Sequence, residues 1–258
     1  GARTEGPERA ALRRAQRRAA AGGMASHIAG FTHGALTLGH RVKFITSGRL
    51  TLRDKVESTI ISPSTTISAT RALFELWNNL RFTVGALGLF TEPDDETDFI
   101  YQRYSRFNWT GAVLSLVTGL PLALEHNGSE VWISQHWDPV GHLGLLKRFE
   151  QVNLRAADII FVVSQAQQRE LLAAGIEASR IIVNPNGVDV EVFHPDCGGR
   201  EIRHALGLEA KLIVGFVGTF GPWHGATVLA QAVAQVKPSA DCHFLFIGDG
   251  GQRRATES

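Results

Sequence analysis

The sequence predicts an α/β chain of two doubly wound, parallel-sheet domains, the second truncated, and three observations carry that expectation. Short β-branched runs alternate with segments of helical spacing from Gly22 onward, the pattern of strands covered on both faces by helices. Glycine-containing turns follow apolar runs at 218–225 and 248–251. Between the halves, residues 181–195 read I-I-V-N-P-N-G-V-D-V-E-V-F-H-P, a strand broken by Pro, Asn and Gly in the manner of a hinge. The expected organisation is a basic tail over 1–21, a first domain over 22–185 and the start of a second over 186–258.

Taken in order, residues 1–21 are rich in Ala and Arg, with Arg13, Arg14, Arg17 and Arg18 in pairs and little apolar bulk beyond Leu12. They cannot make a core. They read as a solvated tail or, alternatively, as a basic helix in peripheral contact with an anionic membrane. The pair Gly22 and Gly23 then opens a helix whose spacing places Ile28, Phe31, Ala35 and Leu38 on one face. Strands are predicted at 42–46 and 58–61, followed by a helix with Leu73, Leu76, Trp77 and Leu80 on its apolar stripe. A strand over 98–104 precedes the weakly polar stretch 109–124, which is too short and too interrupted by Thr110, Ser115, Thr118, Gly119 and Pro121 for the ~20 apolar residues of a membrane span. It divides into a helix and a strand over 122–125. A third stripe, Leu145, Phe149, Val152 and Ala156, leads to a strand over 159–163, after which Ser164 and Gln167 make a helix-start pattern. Each stripe is expected to be core. Beyond the strand at 181–183, a strand over 212–217, a helix over 226–236 and a strand over 243–247 form one β-α-β unit with a right-handed crossover. Two strands are too few to hide both faces of a sheet, and the Arg-rich stretch before Gly22 stands where a first strand would be expected.

The formal charge of +1 over 258 residues gives no field to recruit nucleic acid. Cys197 and Cys242 have neither a C-x-x-C spacing nor a framework of partners, which points to a reducing compartment, with the cytoplasm or the inner face of its membrane as the expected location. The acidic run Asp94, Asp95, Glu96 and Asp98 lacks the spacing of a calcium loop and reads as solvated. His27, His33 and His40 do not share a metal-ligand geometry, so no metal is expected.

The loop Gly218, Thr219, Phe220, Gly221, Pro222, Trp223, His224, Gly225 lies between a strand and a helix start, where free backbone N–H groups and the helix dipole favour a diphosphate. His224 could add a hydrogen bond or a charge. Read alone, such a loop is equally a structural turn. Gly248, Asp249 and Gly250 end the next strand and read as a second ligand loop or as a tight turn. His126, directly after the strand at 122–125, stands at the strand-end edge where open α/β sheets take ligands. A solvated loop histidine is the alternative, and Tyr101 and Arg103 either border the same cleft or face a core.

With these residues in view, the chain from about Gly22 to its last residue resembles the GT-B-fold glycosyltransferases of family 4, two Rossmann-like domains around a hinge. The resemblance implies a retaining enzyme, with no cofactor or metal, moving a sugar from a nucleotide-diphosphate-sugar donor to a glycan, lipid or small-molecule acceptor. It places Gly22 and Gly23 at the family's first donor-facing turn, with Gly218, Thr219, His224 and Gly225 in the frame of a G-R-x-x-x-x-K-G loop and Gly248, Asp249 and Gly250 in a second donor-side loop. Hinge closure would bring His126 and the Gly22-Gly23 turn towards 218–225. Thr219 and His224 stand where the family has Arg and Lys, and the family's E-x7-E element is not found before Ser258. The expectation is therefore a fragment with little activity. The rival readings are a non-catalytic nucleotide-binding module and a nucleotide-sugar epimerase of the same fold.

Overall fold

The computed structural model describes residues 23–49, 52, 54–64, 70–90, 97–236 and 241–257. Two compact units emerge, one over 32–187 and one made of 188–257 together with 23–31. In the 32–187 unit, strands β1 (Lys43–Thr46) and β2 (Glu57–Ile60) pair in parallel, and β3 (Ile100–Arg103), β4 (Leu122–His126), β5 (Ile159–Val162) and β6 (Ile181–Val183) form a four-stranded parallel sheet in sequence order. Helix α1 is Gly23–Thr37, α2 Arg71–Gly88, α3 Thr110–Thr118, α4 Glu130–His136, α5 Leu143–Ala156 and α6 Gln165–Ala173. In the second unit, α7 (Gly199–Ala205) precedes β7 (Leu212–Val217), α8 (Ala226–Gln235) and β8 (Cys242–Ile247), with β7 and β8 parallel, and α9 (Arg253–Glu257) follows.

The core of the first unit lies on the face of the sheet that carries α3, α5 and α6: Leu122, Leu124, Ile160, Val162 and Ile181 meet Ala112, Leu154, Ala157 and Leu171. Polar groups register the helices on that face. Gln102 of β3 donates to Asn153 Oδ1 at 2.8 Å and accepts from Gly111 N, while Asn153 donates to the carbonyls of Asn108 and Phe149 at 2.7 and 2.8 Å. Gly111 has no room for a side chain, since a Cβ there would fall 2.9 Å from Leu122 and 2.4 Å from the Gln102 oxygen. Where α5 ends, the Arg180 guanidinium bonds the carbonyls of Leu154, Arg155 and Ala157, closing orphan acceptors of the last turn. Helix α6 starts on Ser164, whose hydroxyl accepts from Gln167 N at 3.3 Å. The Gln167 side chain reaches back to Val163 N, one residue before the cap, at 3.0 Å.

Two of the predicted stripes are not core. In α1, Thr32 is buried whereas Phe31 and Leu38 are exposed, and in α2 the buried residues are Ala72, Thr83 and Ala86 while Leu73, Trp77 and Leu80 stand largely in solvent. The cause is close approach. Helix α2 packs through small residues: Gly85 lies against Ile61, and Thr83 Oγ1 bonds Thr110 Oγ1 of α3 at 2.9 Å. The bulky stripe instead lines an open groove with Trp109 and Phe149. In the third stripe Phe149 is buried and Val152 exposed. Gly22 and the acidic residues Asp94, Asp95 and Glu96 lie outside the described residues, as does the tail over 1–21.

Candidate functional site

The strand-end edge of the first unit is built on β3 and β4. Alternation sends Leu122, Leu124 and His126 to the helix-covered face and Ala123 and Glu125 to the other. His126 is neither a solvated loop residue nor an open cleft residue; it is only 3 % exposed. Its ring stacks on Tyr104, with centroids 5.5 Å apart and planes at 20°. Neither ring nitrogen has a hydrogen-bond partner among the described residues, and the Tyr104 hydroxyl is likewise buried without one. Burial holds the His126 pKa down at about 4, so the imidazole is neutral at physiological pH. Burial first, and then the negative charge of Glu150, push the Tyr104 phenol up. Leaving three buried polar atoms unmatched opposes folding.

Tyr101 and Arg103 belong to the opposite face. The Tyr101 hydroxyl donates to Glu125 Oε2 at 3.2 Å, and Arg103 and Asn127 both bond Glu125 Oε1, so of the two placements left open for Tyr101 and Arg103 the structure ties both to a buried carboxylate rather than grouping them with His126. After His126 the chain turns at Gly128, and Ser129 caps α4 by accepting from Trp132 N at 3.2 Å.

The second unit brings its two glycine turns together. Gly218 N bonds Ile247 O at 3.0 Å, Phe220 N bonds Asp249 O at 2.9 Å, and Gln252 N bonds Phe220 O at 2.9 Å, stitching the turn after β7 to the turn after β8. The fit needs glycine. At Gly248, with φ 148°, a Cβ would come 1.8 Å from Gly218 O, and at Gly250 it would come 2.8 Å from Phe220 N and O. Gly225, in the left-handed conformation, caps α8, leaving the first N–H groups of that helix open at the turn. Thr219 Oγ1 and His224 Nδ1 are 2.7 Å apart. When the hydroxyl donates, the imidazole keeps its proton on Nε2 and presents it as a further donor. Asp249 Oδ1 accepts from Gly250 N at 2.8 Å and sits 3.8 Å from Arg253. Thus Gly218, Thr219, His224, Gly225, Gly248, Asp249 and Gly250 form one contiguous edge at the C-terminal ends of two parallel strands, while Gly23 opens α1.

Three residues escaped the sequence reading. Phe220 is buried as the plug of the interlocked turns, its ring against Phe216 and Phe246 and its backbone N–H and C=O both bonded to the turn after β8. An aromatic among the glycines of a solvent-facing loop was the available signal. Tyr104 and Glu150 reach His126 and its loop from elements that are distant in sequence, and no local spacing announces that.

The family model for Glycosyltransferase Family 4 matches residues 21–192. A D-inositol 3-phosphate glycosyltransferase of Kineococcus radiotolerans is 33 % identical over 89 residues, covering 34 % of this chain and 20 % of that protein. Among solved structures, the Anabaena Alr3699/HepE complex with UDP-glucose aligns with a TM-score of 0.53 at 21 % identity, covering 75 % of this chain and 48 % of that one. A putative UDP-N-acetylglucosamine 2-epimerase from Listeria monocytogenes aligns with a TM-score of 0.52 at 12 % identity, covering 86 % and 59 %. This chain therefore spans about half the length of the structures it matches, with parallel α/β sheets of the GT-B kind. With a family match that takes in the whole four-stranded sheet and its helices, the chain belongs to glycosyltransferase family 4.

Proposed function

We propose that this chain is the nucleotide-sugar-handling part of a retaining glycosyltransferase, and that the interlocked turns Gly218–Thr219, His224–Gly225 and Gly248–Asp249–Gly250 hold the donor's diphosphate. One observation carries the reading: two glycine turns locked backbone to backbone at parallel strand ends, beside a helix start with open N–H groups. Breaking the bond between sugar and diphosphate builds negative charge on the leaving group. Preorganised N–H donors and the His224 imidazole stabilise that charge without a metal. Thr219 and His224 do so more weakly than the Arg and Lys of related loops, and the chain on its own turns over slowly. In the 32–187 unit, buried and neutral His126 is the residue we place at the transferred sugar, and the acceptor, a glycan, lipid or small molecule, is taken by this unit. The bound UDP-glucose of the HepE complex makes a UDP-sugar the first donor to try.

Nuclear magnetic resonance titration with UDP-glucose tests the reading. The expected result is that amide shifts concentrate at 218–225 and 248–251, with no requirement for added Mg²⁺. Shifts scattered elsewhere, or none, would sink it.

A further inference from the structure

We propose that Glu150 is the positioning residue for His126, acting through the loop 127–130; the inference rests on the placement of His126 at the transferred sugar. Glu150 comes from the middle of α5, whose buried residues are the apolar Leu146, Phe149 and Leu154 and the fully hydrogen-bonded Asn153. Its carboxylate takes two hydrogen bonds from the segment that follows β4, one from Ser129 Oγ at 2.7 Å and one from Glu130 N at 2.8 Å. These are the cap and first residue of α4. Ser129 donates its proton to Glu150 and accepts from Trp132 N with the same oxygen, so one side chain of α5 fixes where the backbone goes after His126. The negative charge of the same carboxylate also raises the pKa of the Tyr104 phenol, on whose ring the imidazole stacks. His126 is thus held along the chain, by bonds that Glu150 makes to the segment directly after it.

Helix capping alone does not require this arrangement. Burial raises the pKa of Glu150, and the neighbouring carboxylate of Glu130 adds to the cost of its charge. Arg106 offsets the charge of Glu130, bonding it at 3.0 Å and Asp138 at 3.3 Å, and Arg71 grips Asp138 through two bonds of 2.6 and 2.8 Å. Two carboxylates, Glu150 and Glu130, and the Arg106 guanidinium meet at one short loop where an apolar contact would have sufficed for packing. A positional demand on that loop accounts for them.

The test is histidine-selective NMR of the 258-residue chain, with amide hydrogen exchange, on Glu150→Gln, Glu150→Leu and Arg180→Ala. Arg180 caps the far end of α5, so its variant reports loss of stability without touching the loop. For Glu150→Leu, exchange at 127–131 is expected to rise about tenfold to a hundredfold, with shifted or broadened His126 ring signals. Glu150→Gln, which keeps one acceptor and the volume, is expected to fall between and to carry the test if the Leu variant does not fold. Arg180→Ala should move neither readout specifically. His126 signals unmoved by both Glu150 variants, or moved as much by Arg180→Ala, would overturn the positioning role. His126 signals that respond to Glu150→Gln but ignore UDP-glucose would instead overturn the placement of His126 at the sugar.

Discussion

Among the described residues, His126 has no partner for either ring nitrogen at a position that is almost completely closed to water, a combination that folding alone disfavours. Replacing it with Phe keeps the stack on Tyr104 and removes both unmatched atoms, so His126→Phe is expected to leave stability at pH 7 unchanged or higher, measured by urea unfolding. A clear loss of stability would show that the imidazole is structural. The pH dependence follows from the depressed pKa. The unfolded chain protonates this histidine near 6.5 and the folded chain only near 4, so stability is full above about pH 6.5 and is lost as pH falls towards 4. That loss amounts to about 3 kcal/mol for this one group, and the difference between wild type and His126→Phe over the same window isolates it. The sequence placed His126 correctly at a strand end, because a histidine directly after an apolar run is a local signal. It could not reveal the burial, which is set by Tyr104 and by the helix α5 packed on that face.

At the scale of elements, the two glycine turns act as one object. Gly248→Ala would drive a Cβ into the Gly218 carbonyl from a backbone conformation with φ 148°. It is expected to unlock the turns and cost roughly 1–3 kcal/mol by strain alone, read as a lowered unfolding midpoint; an unchanged midpoint would mean that the turns are not interlocked. Helix packing gives a second contrast. Leu146, fully buried against Phe107 and Phe149, is expected to cost about 2–5 kcal/mol when cut to Ala. Leu73, on the predicted stripe of α2 but largely exposed, should cost at most about 1 kcal/mol, and equal costs would contradict the packing described. Strands were legible almost to the residue, as at Ile181–Val183 and Leu212–Val217, since short β-branched runs between turns leave little freedom. The inward face of α2 was not. Its contacts run through Ala72, Thr83, Gly85 and Ala86, small residues that an apolar-stripe criterion passes over.

For the molecule as a whole, the parallel α/β organisation and the family could be read from the alternation of strand and helix patterns and from the glycine turns. The pairing of β7-turn with β8-turn needed the coordinates, because it is made by backbone atoms that leave little trace in side-chain chemistry. No helix of the described residues is long and apolar enough to cross a membrane. The proposed function depends on the turns of the second unit holding a nucleotide diphosphate. Calorimetric titration of UDP, GDP and ADP into the chain and into its Gly248→Ala variant tests this most directly. At least one of the three should bind the unaltered chain and bind the variant at least about tenfold more weakly, a loss of about 1.4 kcal/mol or more. Equal affinity for the two proteins, or no binding of any of the three nucleotides to the unaltered chain, would contradict it.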